Sequence, residues 1–393
     1  MNKYEMVHDF NSVKLVLGNG FDLYCGLKTK YSDYFNYWKS KYEAINTWRK
    51  EYYFVNNYFR KEISNNDNFW EEIENFEMIN VWDLLFCFLS VNSEIIEKWR
   101  WCDIESEIEK SLKTSNDYGD LTWNKVFDIL NAQYNRLDGY NHDVLLMAAF
   151  LKKRYGIDRF SNQNVFFKVL LDELKRFEKN FGNYIHSLTH PKIEMTFGIN
   201  PTAISYSKTS KITLEKLCNL DNVSSIDTFN YDTLEIEELE NMVNNINGDV
   251  SNPIFGVDTD VFEAEDPRFI FTKTSRRMEL DMIKREDSGD KEFENVIIFG
   301  HSLSKADFSY FFSIFDRIKI TDLTSKSKVV FAYSIYDQNK QEEIMSDIRK
   351  SVTYMFQEYS KYKNGFEHKN RLLDQLTTQR KVILYDVNSS KYD

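Results

Sequence analysis

The chain has 393 residues, enough for one large or two medium domains, and its 62 acidic against 50 basic side chains leave a formal charge of −12. That balance argues against nonspecific nucleic-acid binding as the main role, because attraction to a phosphate backbone needs a basic face, though it leaves room for a local basic stripe. Four prolines and thirteen glycines favour long helices over a turn-rich β protein, and 16% aromatic residues supply ample core material.

The first predicted element is a buried strand over Val13 to Leu17, apolar except for Lys14. It stops at Gly18-Asn19-Gly20, where two glycines permit positive φ and bring bare backbone N–H groups together. A helix-like pattern follows through Phe21 and Asp22. Such a strand–turn–helix corner is where α/β proteins bind a phosphate or nucleotide, with Asp22 placed to hold a ribose hydroxyl or to cap the helix. The three-glycine dinucleotide fingerprint is not met, since the next glycine after Gly20 is Gly26. An ordinary corner accounts for the stretch equally well.

Residues 31–184 are predicted mostly helical. Apolar positions recur at spacings of three and four in Val81, Leu84, Leu85, Phe88 and Leu89, and again in Val165, Val169, Leu170, Leu174 and Phe177. Asn-rich breaks at 64–68 and 114–120 separate helices. The aromatic-rich helices at 34–59 read as core or as subunit contact, which leaves room for a homo-oligomer. The longest apolar run, Val81 to Val91, is broken by Asp83 and too short to span a bilayer, and no apolar segment opens the chain. Cys25, Cys87, Cys102 and Cys218 lie far apart, as free thiols in a reducing cytosol do. The expectation is a cytoplasmic protein without membrane contact.

Beyond Leu220, strands are predicted at 223–229, 296–299, 328–333 and 382–387, with an acidic helix at 234–242 and a long helix at 341–362. Strands alternating with helices point to a parallel sheet with crossover connections. The expected fold is α/β: a Rossmann-like parallel sheet core with a large helical insertion. Residues 1–40 form its first βα unit, 41–195 the insertion, and 196–393 the remainder of the core.

Several polar residues fall at strand ends. Asn230 suits a water or a ribose hydroxyl and Asp232 supplies negative charge; both side chains equally suit capping of backbone N–H groups in a turn. His301, directly after Gly300, reads as a general base, as a phosphate donor when protonated, or as a hydrogen-bonded structural residue. Asp307 is expected to cap the helix running through Phe311 and Phe315. Arg268, Lys273, Arg276, Arg277, Lys284 and Arg285 could grip phosphate or a nucleic-acid backbone, but Glu279, Asp281, Glu286 and Asp287 are interleaved with them, which favours a solvated mixed-charge face. Glu105 and Glu109 share a helix face without a nearby histidine, so no metal is expected.

Gly-Asn-Gly-Phe-Asp at 18–22, Phe-Asn-Tyr-Asp at 229–232 and Gly-His-Ser-Leu at 300–303, with Asp307, together resemble the AbiH family of bacteriophage abortive-infection proteins. The likeness continues through residues 26–34, Trp101-Cys102-Asp103-Ile104-Glu105, 308–316 and the closing strand. The motif order is also similar to the sirtuin-like domains of other phage-defence proteins, in which a Gly-rich turn, an Asn-x-Asp strand end and a His-Gly pair surround NAD. That resemblance implies a sirtuin-like nucleotide-binding core. Gly18, Asn19, Gly20, Phe21 and Asp22 would cradle the dinucleotide, and Asn230 and Asp232 would face the ribose next to nicotinamide. Gly300, His301, Ser302, Leu303 and Asp307 would close the far side, with Asn230, Asp232 and His301 as catalytic residues.

Two positions depart from the pattern. Asn247, within Ile246-Asn247-Gly248-Asp249, stands where the family tends to carry the histidine of His-Gly, and Cys25 precedes Gly26 where histidine is usual. The implied function is antiphage abortive infection through a nucleotide ligand, NAD, whose nicotinamide–ribose bond is cleaved after a phage-derived trigger. Two alternatives stand beside it. One is a nucleotide-sensing module without catalysis, since an Asn amide cannot accept a proton as imidazole does. The other is a metal-dependent nuclease toxin using Asp22 and Asp232, with the 268–285 stripe on the nucleic-acid backbone.

Overall fold

The computed structural model describes residues 7–53, 78–89, 101–114, 120–131, 141–156, 160, 162–189, 201–232, 234, 236–280, 292–363 and 371–388. Six strands form one parallel sheet: β1 (Val13–Leu17), β2 (Val223–Thr228), β3 (Val243–Asn245), β4 (Asn295–Phe299), β5 (Lys328–Tyr333) and β6 (Val382–Asp386). Their order is β3-β2-β1-β4-β5-β6, the doubly wound arrangement that reverses between β1 and β4.

The strands alternate between two cores. Leu15, Leu17, Ile297, Phe299 and Val330 enter one apolar cluster, while Val16, Val296, Ile298, Val329 and Phe331 enter the other. The first cluster is completed by Phe21 of α1 (Asn19–Tyr24) and by Tyr206, Leu214 and Leu217 of α2 (Pro201–Leu217). The second takes Phe311 and Phe315 of α3 (Phe308–Arg317), Met355 and Phe356 of α4 (Gln341–Tyr362) and Leu372 of α5 (Arg371–Thr378). Both sheet faces are therefore covered, which is why these strands read as continuous apolar runs.

Lys14 interrupts that pattern and is nevertheless buried. Its Nζ lies 2.7 Å from the Asp227 carboxylate on β2 and donates to Ser225 Oγ at 3.2 Å. Asp227 also accepts from Tyr310 Oη at 2.5 Å and from Asn244 Nδ2 at 3.0 Å. A one-residue slip of β1 against β2 would turn Lys14 to the opposite face and break the network, so the pair fixes register. Asp227→Ala strands a buried ammonium and is expected to cost about 3–5 kcal/mol in urea unfolding.

Residues 234–242 differ from expectation. Leu234 and residues 236–242 follow successive turns and a 3-10 segment (Glu240–Met242) leading into β3, rather than a helix. Leu234, Ile236 and Leu239 all enter the first core cluster. At 3.6 residues per turn a helix would send Leu234 and Ile236 to opposite sides, and burial of both requires the irregular path. β3 itself has only one apolar residue of three and carries no strand signature.

By chain segment the protein divides into two compact units: Met1–Thr29 with Ile185–Val250 and Arg277–Asp393, and Lys30–Tyr184 with Ser251–Arg276. The second is helical, including Val81–Leu89 and Trp101–Leu112, with an aromatic interior. Trp82 meets Trp123 at 4.8 Å, and Tyr34 meets Phe177 edge-on at 5.7 Å. The cations expected on a solvated face are instead paired. Arg268 bonds Asp266, Lys273 lies 2.8 Å from Glu105, and Arg276 forks onto Glu178 at 2.8 and 2.9 Å. Lys273 and Arg276 are only 2% and 4% exposed, because carboxylates distant in sequence meet them. Lys284 and Arg285 lie outside the described residues, as does the break at 64–68. No described helix is long and apolar enough to cross a membrane.

Candidate functional site

Turns at the carboxyl ends of β1, β2 and β4 converge. Gly18 N donates to Phe299 O at 3.0 Å, Gly20 N to Gly300 O at 2.7 Å and Phe21 N to Gly18 O at 2.8 Å. A Cβ on Gly18 would fall 2.5 Å from His301 Cα, and one on Gly20 would fall 2.7 Å from Gly300 Cα. The two glycines thus serve backbone-to-backbone contact across the strand-order reversal. The three N–H groups expected to cradle a phosphate already have carbonyl partners. Asn19 Nδ2 donates to Thr29 O at 3.3 Å, and Ser302 is exposed.

A buried acidic group lies beside this contact. Asp22, on α1, accepts through Oδ1 from Tyr206 Oη and from Asn230 Nδ2, each at 2.8 Å. Asn230 Nδ2 also reaches Gly18 O at 3.1 Å, which ties the end of β2 to the first turn. Burial, and then the charge of Asp232, hold the Asp22 carboxyl well above the usual carboxylate range. Burial also raises Asp232, against the opposing hydrogen bonds of Tyr206 and Asp22. Asn230 Oδ1 and Asp232 Oδ2 are buried without a hydrogen-bond partner. Two such carboxyls hold one proton between them most readily, giving an acid and a base side by side.

The folded chain therefore retains a proton that an unfolded Asp releases near pH 4. Stability from this source is complete below that pH and falls as pH rises toward the elevated folded value. Asp22→Asn keeps an oxygen for Tyr206 and Asn230 and offers N–H to Asp232. It is expected to exceed the parent in urea midpoint at pH 7 and to flatten the midpoint's decline with rising pH. A decline parallel to the parent's would contradict the shared proton.

Cys25 adjoins the pair, and burial pushes its thiol up to about 11, so it stays protonated; its Sγ donates to Thr213 Oγ1 at 3.7 Å. Among the described residues, no three His, Cys, Asp or Glu side chains gather as metal ligands would.

A second polar group follows β3 and β4. Arg277 Nη2 donates to Asn247 Oδ1 at 2.8 Å and to Asp307 Oδ1 at 3.2 Å. The other Asp307 oxygen is 3.6 Å from His301 Nε2, while His301 Nδ1 accepts from Leu303 N at 2.9 Å. Nδ1 is thus an acceptor, and a neutral ring carries its proton on Nε2, facing Asp307. Leu303 adopts φ +54° to close this turn. The imidazole packs edge-on against Phe229 at 4.4 Å and Phe311 at 4.9 Å. Asp307 does occupy the N-cap position of α3, but its side chain makes no cap hydrogen bond. The expected cap is replaced by the ion pair with Arg277, because a buried guanidinium needs a carboxylate more than an N-terminal amide does.

Phe229, followed directly by Asn230, joins the two groups, with the Arg277 guanidinium 6.0 Å from its ring. Tyr206 is a site member that sequence reasoning missed, and Arg277 stood there only within a run read mainly as a solvated face. Tyr206 carried no signal beyond a helical aromatic, and Arg277 was one cation in a mixed run.

A parallel sheet in doubly wound order, with polar groups gathered at its carboxyl ends, defines a Rossmann-like α/β protein. Residues 15–333 match the family described as Bacteriophage abortive infection AbiH, and the chain belongs to that family. The matched span runs from β1 through β5 and includes both polar groups. No curated protein and no solved structure matches the chain.

Proposed function

We propose that this AbiH protein acts in antiphage abortive infection by binding NAD in a sirtuin-like core and hydrolysing its nicotinamide–ribose bond. The observation that carries the reading is the buried Asp22–Asp232 pair with Asn230 Oδ1 and Asp232 Oδ2 unpartnered. Buried acceptors of this kind fit the hydroxyls of a ribose or an attacking water.

Nicotinamide leaves a cationic nucleotide as a neutral molecule. The C1′–N bond breaks with its electron pair going to the ring, and the sugar passes through an oxocarbenium-like state. The Asp232 carboxylate stabilises that positive charge. Asn230 Oδ1 accepts from the water, and the ionised carboxyl of the pair takes the water's proton as the new C1′–O bond forms. The products are nicotinamide and ADP-ribose. A carboxyl raised from its usual range is a stronger base near neutral pH. Asn247 and Asp307 hold Arg277, His301 meets Asp307, and none of them takes a proton in this mechanism.

A second reading, nucleotide sensing without turnover, draws on His301. Its Nδ1 accepts from Leu303 and its Nε2 approaches Asp307, so the contacts of this imidazole are with the Arg277 group. One incubation separates the two. The purified protein is mixed with NAD, alone and with extract of phage-infected cells, and nicotinamide release is followed beside the Asp232→Asn protein. Release that vanishes in the variant supports hydrolysis, NAD bound but recovered intact supports sensing, and no binding at all removes both.

A further inference from the structure

Arg277 has no role in the chemistry above, yet it is an oriented, largely buried cation whose guanidinium lies 6.0 Å from the ring of Phe229, the residue before Asn230. Its side chain is 14% exposed, and Nη2 is held by Asn247 and Asp307 at 2.8 and 3.2 Å. The Nε–H is buried and has no acceptor. A guanidinium carries five donors in a fixed plane, and leaving one buried and unpaired is costly. Asp307 meets it through one oxygen only and turns the other toward His301. An oriented guanidinium with a spare donor matches an anionic oxygen, and phosphate above all.

The strand end that follows Phe229 supplies the complementary half. Phe229, whose ring lies 6.0 Å from the guanidinium, is followed by Asn230, and both Asn230 Oδ1 and Asp232 Oδ2 lack donors. Unpaired acceptors for hydroxyls and an unpaired cationic donor for an anion are the two requirements of a sugar phosphate. The glycine turn leaves this task open, since the N–H groups of Gly18, Gly20 and Phe21 are engaged by carbonyls.

We infer that Arg277 binds a phosphate group of the ligand, so that the site selects phosphorylated nucleosides over neutral ones, with Asn247 and Asp307 orienting the guanidinium. The inference rests on the nucleotide reading of Asn230 and Asp232, but not on hydrolysis.

Calorimetric titration of the full chain with ADP-ribose, inorganic pyrophosphate and adenosine tests it, since none of the three has a nicotinamide bond to cleave. The parent is expected to bind ADP-ribose at least about tenfold more tightly than adenosine, and to be stabilised against heat by pyrophosphate. Arg277→Met is expected to lose that preference, and Arg277→Lys to recover part of it, since a lysine keeps the charge but not the fork. Equal ADP-ribose affinity in the parent and Arg277→Met overturns the inference while leaving the nucleotide reading standing. Absence of binding by all three probes in the parent overturns both. Should Arg277→Met not fold, the parent and Arg277→Lys decide: a parent without preference for phosphate overturns the assignment, and a preference weakened in Arg277→Lys sustains it.

Discussion

The Asp232→Asn protein is expected to lose NAD turnover by about 10²–10⁴-fold while remaining folded, with the loss falling mainly on kcat. The substitution preserves shape and one carbonyl oxygen. It removes the negative charge that would face the oxocarbenium-like sugar and the basicity that would accept a proton from water. It also relieves a cost: burial raises Asp232, and its charge raises Asp22 in turn. The variant should therefore be at least as stable as the parent at neutral pH, so an activity loss cannot be ascribed to unfolding. Nicotinamide release at saturating NAD, with a urea titration on the same samples, gives both readouts. Turnover equal to the parent's would remove Asp232 from the chemistry.

Gly300→Ala is expected to be the most damaging single substitution in the sheet unit, destabilising by at least about 3 kcal/mol. A Cβ there would lie 2.1 Å from Phe21 N and 2.6 Å from the Gly20 carbonyl carbon, so the obstacle is backbone rather than a movable side chain. The residue also adopts φ +73°, where an L side chain adds strain. Gly26→Ala is the matched control. It shares a positive φ, +96°, but its Cβ would have open space within 4 Å, so only the conformational cost applies. Thermal melting of the two variants should separate the effects, with Gly300→Ala much the lower. Similar melting temperatures would mean that the two turns can part without loss.

Most of the sheet was legible because its strands are buried on both faces. Runs such as Val296 to Phe299 and Lys328 to Tyr333 have enough apolar content to stand out without context. β3 was invisible, as its residues are Val243, Asn244 and Asn245, and among the described residues it pairs with β2 alone. The acidic 234–242 stretch misled because charge composition resembled a solvated helix while Leu234, Ile236 and Leu239 did not follow its period. At the site, Asp22 and Asn230 were legible from strand-end placement, and the structure joins them at 2.8 Å. Tyr206 is one of 24 tyrosines, and nothing local marks it until Asp22 accepts its hydroxyl. Arg277 was hidden for the same reason, since its significance lies in Asn247 and Asp307, each 30 positions away. The glycines were found, but for a different physical reason than their motif implied.

The order in which the strands are made has a consequence for synthesis. β1 ends at Leu17, while its two neighbours begin at Val223 and Asn295. At about 5–20 residues per second a ribosome needs roughly 10–40 s to reach the first of them. Throughout that interval the nascent Val13–Leu17 segment has no strand to pair with, and Gly20 has no Gly300 to dock against. Any activity housed in this site can begin only once translation has passed the last of its contributors, and a prematurely terminated product lacking β4 would be inert.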